Sequence, residues 1–314
     1  MRNGYEEDLL SLDITWDAMT LKHKVPLKLY KYQSFTTEKG TENPYWAGNM
    51  TGQFHLSLGC EFEDRNDCKP FFDRKFVLDY LNNFFISFNL DEQSRFRILS
   101  QVNSILTDEY FADVMKKYQS CIRIGCFTDS SSNEKMWNKY ACLKKGYCIE
   151  YNTEKNMLFQ LSTLPVLYSN KPYNSSLTLA SSLVLECNKS AKKYSEEESI
   201  NIFGTIYEKI LKTAYIPVFI KQKEVWEFER EYRLFLLKNR NTRDGILKMK
   251  DILDKNYNVD LSRAVNAIYL GEDFDKNENC VELLNKVISV CQANKIDLFR
   301  KLKRNGSVID FQIT

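Results

Sequence analysis

The chain has 314 residues, 43% hydrophobic and 27% charged, with only 11 Gly and 6 Pro. This balance fits one large globular domain, or one domain carrying insertions, and excludes a disordered or collagen-like polymer. Its 44 basic and 42 acidic side chains leave a net charge of +2, so no global field recruits nucleic acid or an anionic membrane and any such partner needs a local patch. The first twenty residues hold five acidic groups and one Arg, interleaved with Leu9, Leu10, Leu12, Trp16 and Met19. That spacing predicts a short amphipathic helix, and residues 1–26 read as an N-terminal extension that docks on the body or on a partner.

From residue 27 to 314 the pattern reads as a single α+β domain. Leu27, Leu29 and Lys31 alternate with Lys28, Tyr30 and Tyr32, which predicts the first strand. Between Gly40 and Pro70 the text is irregular, with turn-forming Asn and Gly and an acidic group of Glu61, Glu63, Asp64 and Asp67, so loops are expected. Apolar residues then recur at helical spacing over about 73–117, as in Phe76, Val77, Tyr80, Leu81 and Phe84, and predict two or three helices. A short β-rich run, Cys121 to Phe127, leads into a polar tract ending at Asn133, which caps a helix holding Met136, Trp137 and Tyr140. Gly146 is expected to close that helix, and Tyr147 to Tyr151 to form the next strand. A second helical insertion is expected at 177–215.

After Pro217 comes the most patterned segment, Glu224 to Leu237, read as one strand. Residues 238–255 carry six basic groups against three acidic ones, a solvated linker or a phosphate-binding surface. Ala264 to Leu270 predicts a buried strand, 279–293 a helix, and the last residues a hairpin around Lys303, Arg304, Asn305 and Gly306. Strands mixed with helical blocks, without regular βαβ alternation or a glycine-rich phosphate loop, favour α+β with a mixed, largely antiparallel sheet and helical insertions.

Nine cysteines without a repeated close-spaced pair read as free thiols, and His23 and His55 are too few for a His-based metal cluster or a Ser-His-Asp triad. The acidic N-terminus lacks a signal-peptide pattern, and the apolar run near residue 214 falls short of the roughly 18 residues of a membrane helix. A cytoplasmic protein with no membrane partner is expected.

Two constellations carry chemistry. On a strand, period-2 geometry sends Trp226, Phe228, Tyr232, Leu234 and Leu236 to one face and Glu227, Glu229, Glu231 and Arg233 to the other. Carboxylates two residues apart stand about 7 Å from one another. The charged face is then either a solvated salt-bridge surface or a site wall, in which Arg233 holds a carboxylate that binds a ribose hydroxyl. The second constellation is the turn of Ser130, Ser131 and Ser132 followed by Trp137 and Tyr140. Its hydroxyls can bond a ligand and its rings can stack a flat one; the bland reading is a capped helix anchored by core aromatics. A third group, Glu61 to Asp67, offers oxygens to a hard metal ion, although acidic loops are usually solvated.

Taken in order, LYKY at 29–32, CFT at 126–128, MWNKYA at 136–141, GYCIEY at 146–151, WEFEREYR at 226–233 and AIYLG at 267–271 resemble the bacterial domain-of-unknown-function family 2971. Two departures stand out. Gln33 occupies a position where an Arg is common, and residues 66–71 loosen the family's Asn-Asp-Pro-Phe step. The resemblance implies a layout similar to that of ADP-ribosyltransferases, with NAD as cofactor. Mapped by position, Lys31 and Tyr32 take the first-strand place, without its usual His or Arg; Ser130 to Ser132, with Trp137 and Tyr140, take the second; and Glu231 takes the third. Glu231 is then the catalytic carboxylate, supported by Glu229 and Arg233. The same resemblance implies a nucleotide-type ligand, a protein or nucleic-acid acceptor, and a toxin-like or anti-phage role. The alternatives are a metal-dependent nuclease joining Glu229 and Glu231 to Asp64 or Asp67, and a non-enzymatic module that docks a partner protein.

Overall fold

A computed structural model of the chain describes residues 4–11, 14, 16–64, 66–191, 215–237, 252–304 and 307–314. Contacts divide the chain into two compact units: Met1–Met19, Leu58–Cys121 and Leu167–Lys223, and Thr20–Ser57, Ile122–Val166 and Glu224–Thr314. The first unit thus gathers both expected helical insertions and most of the N-terminal extension.

In the first unit the helical spacing resolves into three helices, Arg74–Ser87, Glu92–Ile105 and Asp108–Cys121. Asp73 and Asp91 cap the first two by accepting the Phe76 and Ser94 amides. Val77, Leu81 and Phe85 pack with Val102, Leu106 and, from the helix Ser176–Ala191, Leu179 and Val184. The rest of the helix expected at 177–215, up to residue 214, lies outside the described residues, as does the basic tract up to residue 251. Among the described residues no helix is long and apolar enough to cross a membrane.

The second unit is built on a sheet. Its strands are β1 (Lys28–Gln33), β2 (Ile122–Thr128), β3 (Tyr147–Asn152), β4 (Thr163–Pro165), β5 (Glu231–Leu237), β6 (Val265–Leu270), β7 (Asp297–Arg304) and β8 (Ser307–Gln312). They lie in the order β8-β7-β6-β3-β1-β2-β5-β4. Along this path only β6 and β7 run parallel, joined through the helix Cys280–Asn294; the other neighbours are antiparallel. The fold is α+β with a mainly antiparallel sheet, as the element order predicts.

Strand alternation gives this sheet two unlike faces. On one, Leu29, Phe127, Ile149, Tyr151, Tyr232, Leu234, Ile268 and Leu298 form the main apolar core. It is covered by the helices α1 (Trp46–Met50), α3 (Met157–Ser162) and α4 (Cys280–Asn294), through Met50, Phe159 and Val287 among others. Phe127 anchors it, with ring centroids 4.8 Å from Phe54 and 5.1 Å from Phe159. The other face carries Tyr32, Cys148, Ala267 and Tyr269, against which α2 (Glu134–Tyr140) lays Met136 and Trp137.

The chain leaves α2 by an unexpected route. Cys142, Leu143 and Lys144 take positive φ values of 48°, 53° and 67°, so three residues with side chains, and not Gly146, make the left-handed turn. Hydrogen bonds from the Leu143 and Lys144 amides to the Asn138 and Trp137 carbonyls hold it. Gly146 and Gly271 serve instead as points of close backbone approach. A Cβ on Gly146 would lie 2.2 Å from the Gln33 carbonyl oxygen, and one on Gly271 1.9 Å from that of Lys144. Because backbone cannot move aside as a side chain does, Gly271→Ala is expected to lower stability by at least ~2 kcal/mol, read from the urea unfolding midpoint.

Candidate functional site

The segment expected to be one continuous strand is broken at its start. Lys223–Trp226 is a single helical turn, Glu227–Glu229 a tighter one, Arg230 is left-handed at φ 47° and ψ 50°, and β5 begins only at Glu231. Tertiary contacts override the alternation. The Asn133 side-chain amide donates to the Phe228 carbonyl at 2.5 Å, Arg230 pairs with Asp129 at 2.6 Å, and Lys139 lies 4.0 Å above the Trp226 ring. Residues 226–230 are thereby drawn against α2 and the turn before it. Glu229 therefore does not share a strand face with Glu231.

Neither carboxylate is solvated. Glu229 is 3% exposed, Glu231 4% and Arg233 0%, which removes the reading of a solvated salt-bridge face. Arg233 grips Glu231 through Nε to Oε1 at 2.7 Å and Nη2 to Oε2 at 3.2 Å, a two-point pair that fixes the carboxylate in orientation as well as charge. Glu229 accepts a hydrogen bond from the Tyr140 hydroxyl on α2. Burial first, and the Glu229 charge second, push the Tyr140 phenol far above its usual range, so it stays protonated and acts as a donor. Cys126, in register with Arg233, is no nucleophile in waiting: loss of water around its sulfur and the Glu231 charge push the thiol up.

Register extends this arrangement across the sheet. Glu231 is opposite Thr128, Thr128 opposite Tyr30, and Tyr30 opposite Glu150, one line over four adjacent strands. In that line the Thr128 hydroxyl is fully buried and has no hydrogen-bond partner among the described residues. Glu150 is 1% exposed and bonded to Tyr30, Tyr269, Asn266 and Lys28. Burial alone would raise its pKa, but the bonds from Lys28, Asn266 and Tyr269 outweigh that and hold the carboxyl below its usual range. Neither Thr128 nor Glu150 is selected by the sequence reading. The available signal is a lone carboxylate alternating with Tyr147, Ile149 and Tyr151 in an otherwise apolar strand.

The remaining expected residues divide. Tyr32 donates to the Ser130 carbonyl at 2.8 Å and accepts from the Asn133 amide at 3.2 Å. Trp137 donates to the Ser131 carbonyl at 2.8 Å and meets the Tyr32 ring edge-on. Ser130 also accepts the Ser132 amide through its own hydroxyl. These groups fold the turn, and Asn133 caps α2 as the sequence predicts, accepting from the Lys135 and Met136 amides. With Trp137 buried, the half-buried Tyr140 is the better placed of the two rings to meet a ligand. Lys31 is not brought to this face: its ammonium lies over the Phe54 ring on the core side. Gln33 is on the core side too, its amide oxygen accepting from Asn49 at 2.6 Å and Tyr147 at 2.9 Å. An Arg there would leave both donors without an acceptor.

Among the described residues no group of three or more His, Cys, Asp or Glu stands where it could hold a metal ion. In the acidic loop, Glu61 accepts the Leu58 amide, Asp64 the Asn66 amide, and Asp67 faces Lys221 at 3.8 Å.

Two substitutions separate the bonded from the unbonded hydroxyl. Tyr140→Phe is expected to cost about 1–2 kcal/mol, because a buried carboxylate loses a donor. Thr128→Val keeps the shape and removes an unmatched polar atom, so it is expected to leave the melting temperature unchanged or raise it. Calorimetric unfolding of both variants beside the wild type checks the two signs.

Residues 136–234, from α2 to strand β5, match the family described as Protein of unknown function (DUF2971). None of the curated proteins or solved structures compared with the chain matches it. Three of the six motifs, at 136–141, 146–151 and 226–233, lie in the matched stretch with Tyr140, Glu229, Glu231 and Arg233, which supports the family resemblance there.

Proposed function

We propose that the chain is an ADP-ribosyltransferase-like enzyme that uses NAD, with Glu231 as its catalytic carboxylate and Glu229 and Arg233 in support. The observation that carries this reading is a buried, doubly gripped carboxylate standing in register with an unpartnered hydroxyl, Thr128, on the face bounded by Tyr140. A carboxylate beside an unused hydroxyl fits a ligand that itself carries hydroxyl groups, as a ribose does. NAD bound here would supply an ADP-ribosyl group with nicotinamide as its leaving group.

The chain's own residues then have distinct tasks. With NAD bound, the Glu231 carboxylate, already oriented by Arg233, would stabilise positive charge developing on the sugar without reorganising. Glu231 also accepts a ribose hydroxyl proton in a hydrogen bond, setting the ring against that charge. Tyr140 keeps its proton and orients Glu229. In a bacterium such chemistry suits a toxin-like or anti-phage effector, by analogy alone.

The rival readings fit less well. A metal-dependent nuclease needs converging oxygen ligands, and the described residues supply no such group. Docking a whole protein on this strand needs a broad exposed acidic face, whereas Glu229 and Glu231 are 3% and 4% exposed. The test is incubation of folded protein with labelled NAD and cell lysate. Label transfer or NAD loss is expected, and Glu231→Gln should reduce it by about 100-fold or more. No turnover by the folded wild type, or full turnover by a Gln variant with an unchanged circular dichroism spectrum, would overturn the assignment.

A further inference from the structure

Glu150 lies three strands from Glu231 in the same line, a lateral offset of roughly 14 Å, and the proposed chemistry does not use it. Its surroundings are unusual in one respect. Three of its four partners are fixed in the sheet: the Tyr269 hydroxyl at 2.9 Å and the Tyr30 hydroxyl at 3.2 Å donate to Oε2, and the Asn266 side-chain amide donates to Oε1 at 2.7 Å. Asn266 reaches it because the register slips by one residue between Val265 and Ala267, a bulge that re-aims the side chain. The fourth partner is different. Lys28 reaches Oε1 at 2.9 Å from the first position of β1, and its side chain is 51% exposed while that of Glu150 is 1% exposed.

A buried carboxylate requires a cation close by, but an ammonium on a long, half-solvated chain holds that place weakly. The need for positive charge is thus built into the sheet, whereas the group that meets it can leave. The walls suit a cation. Tyr30 and Tyr269 stand 6.5 Å apart at 60°, and protonated phenols facing a carboxylate form a cation-binding wall of aromatic rings and oxygen. The side toward β7 is closed by Lys301, 3% exposed, which lies 5.1 Å over the Tyr269 ring and bonds Asp310 at 2.8 Å. The half-exposed Lys28 side chain marks the solvent end.

We propose that Glu150, Tyr30, Tyr269 and Asn266 form a second binding site, for a guanidinium group such as that of an arginine side chain, and that Lys28 is its displaceable resident. A planar guanidinium can engage Oε1 at the position the ammonium vacates while its face meets the Tyr30 ring; Tyr269, stacked on Phe299 and lying under the Lys301 ammonium, offers its hydroxyl. The site stands apart from the NAD reading, because occupancy is measured without turnover.

The experiment uses the full chain and agmatine as the probe. Lys28→Met removes the resident cation, so agmatine is expected to bind this variant roughly tenfold more tightly than the wild type, by calorimetric titration. It should also raise the variant's melting temperature toward the wild-type value, while acetamide at the same concentration does not. Adding Glu150→Gln to Lys28→Met should abolish both effects. If that double variant does not fold, Lys28→Met with Tyr269→Phe, which keeps the ring and drops one donor, should weaken binding severalfold. Equal agmatine affinity in wild type and Lys28→Met, or binding that survives loss of the Glu150 carboxylate, overturns the proposal.

Discussion

The polar face of the sheet depends on one constraint: carboxylates that have lost their water must keep their charge. Glu231 does so through the two-point grip of Arg233, and Glu150 through three neutral donors and one ammonium. Breaking such a buried pair by removing one partner costs about 3–5 kcal/mol, because the remaining charge is stranded. An apolar pair of the same volume would be no less stable, so stability alone does not account for charged groups at these positions. They are maintained against the hydrophobic alternative that the opposite face of the same strands takes, where Leu29, Ile149 and Ile268 meet without a polar atom.

Alternation is what lets one sheet do both jobs. Tyr147, Ile149 and Tyr151 turn to the core, and Cys148 and Glu150 turn away; Tyr232 and Leu234 do the same against Glu231 and Arg233. A slip of one residue in any of these strands would send carboxylates into the apolar core, so the core itself fixes the register of the site. Covering α2 on the polar face then needs only a short helix. Its Asn133 cap, its Trp137 bond to Ser131 and the Tyr32 bond to Ser130 all fasten the same turn. Residues that looked like ligand contacts in sequence thus hold the helix that brings Tyr140 to Glu229.

Most of the architecture was legible because it rests on local patterns. The helical spacing at 74–121, the strand–turn–helix–strand run from Ile122 to Asn152 and the terminal hairpin each follow from periodicity and caps. What escaped was set by distant partners. Nothing near Arg230 announces that Asp129 and Asn133, a hundred residues earlier, will bend the chain before β5. Gly146 invited the common left-handed reading, yet its lack of a side chain answers the Gln33 carbonyl, a neighbour that only the folded sheet supplies. Lys31 and Tyr32 illustrate a stricter rule: adjacent residues on a strand cannot serve one face, so pairing them in one site conflicted with the alternation that identified the strand.

The line from Glu231 through Thr128 and Tyr30 to Glu150 also sets the spacing of the polar groups on this face. Side chains in register across antiparallel strands are spaced by the interstrand distance, near 4.8 Å, and point the same way. Among the described residues, no acidic groups converge as metal ligands do. Of these four positions, Thr128 is the one whose polar atom has no partner among the described residues, and it neighbours Glu231. A buried hydroxyl left without a bond is unfavourable for folding alone. On the proposed reading, a ligand's own polar groups at the Glu231 end of the line would complete the network.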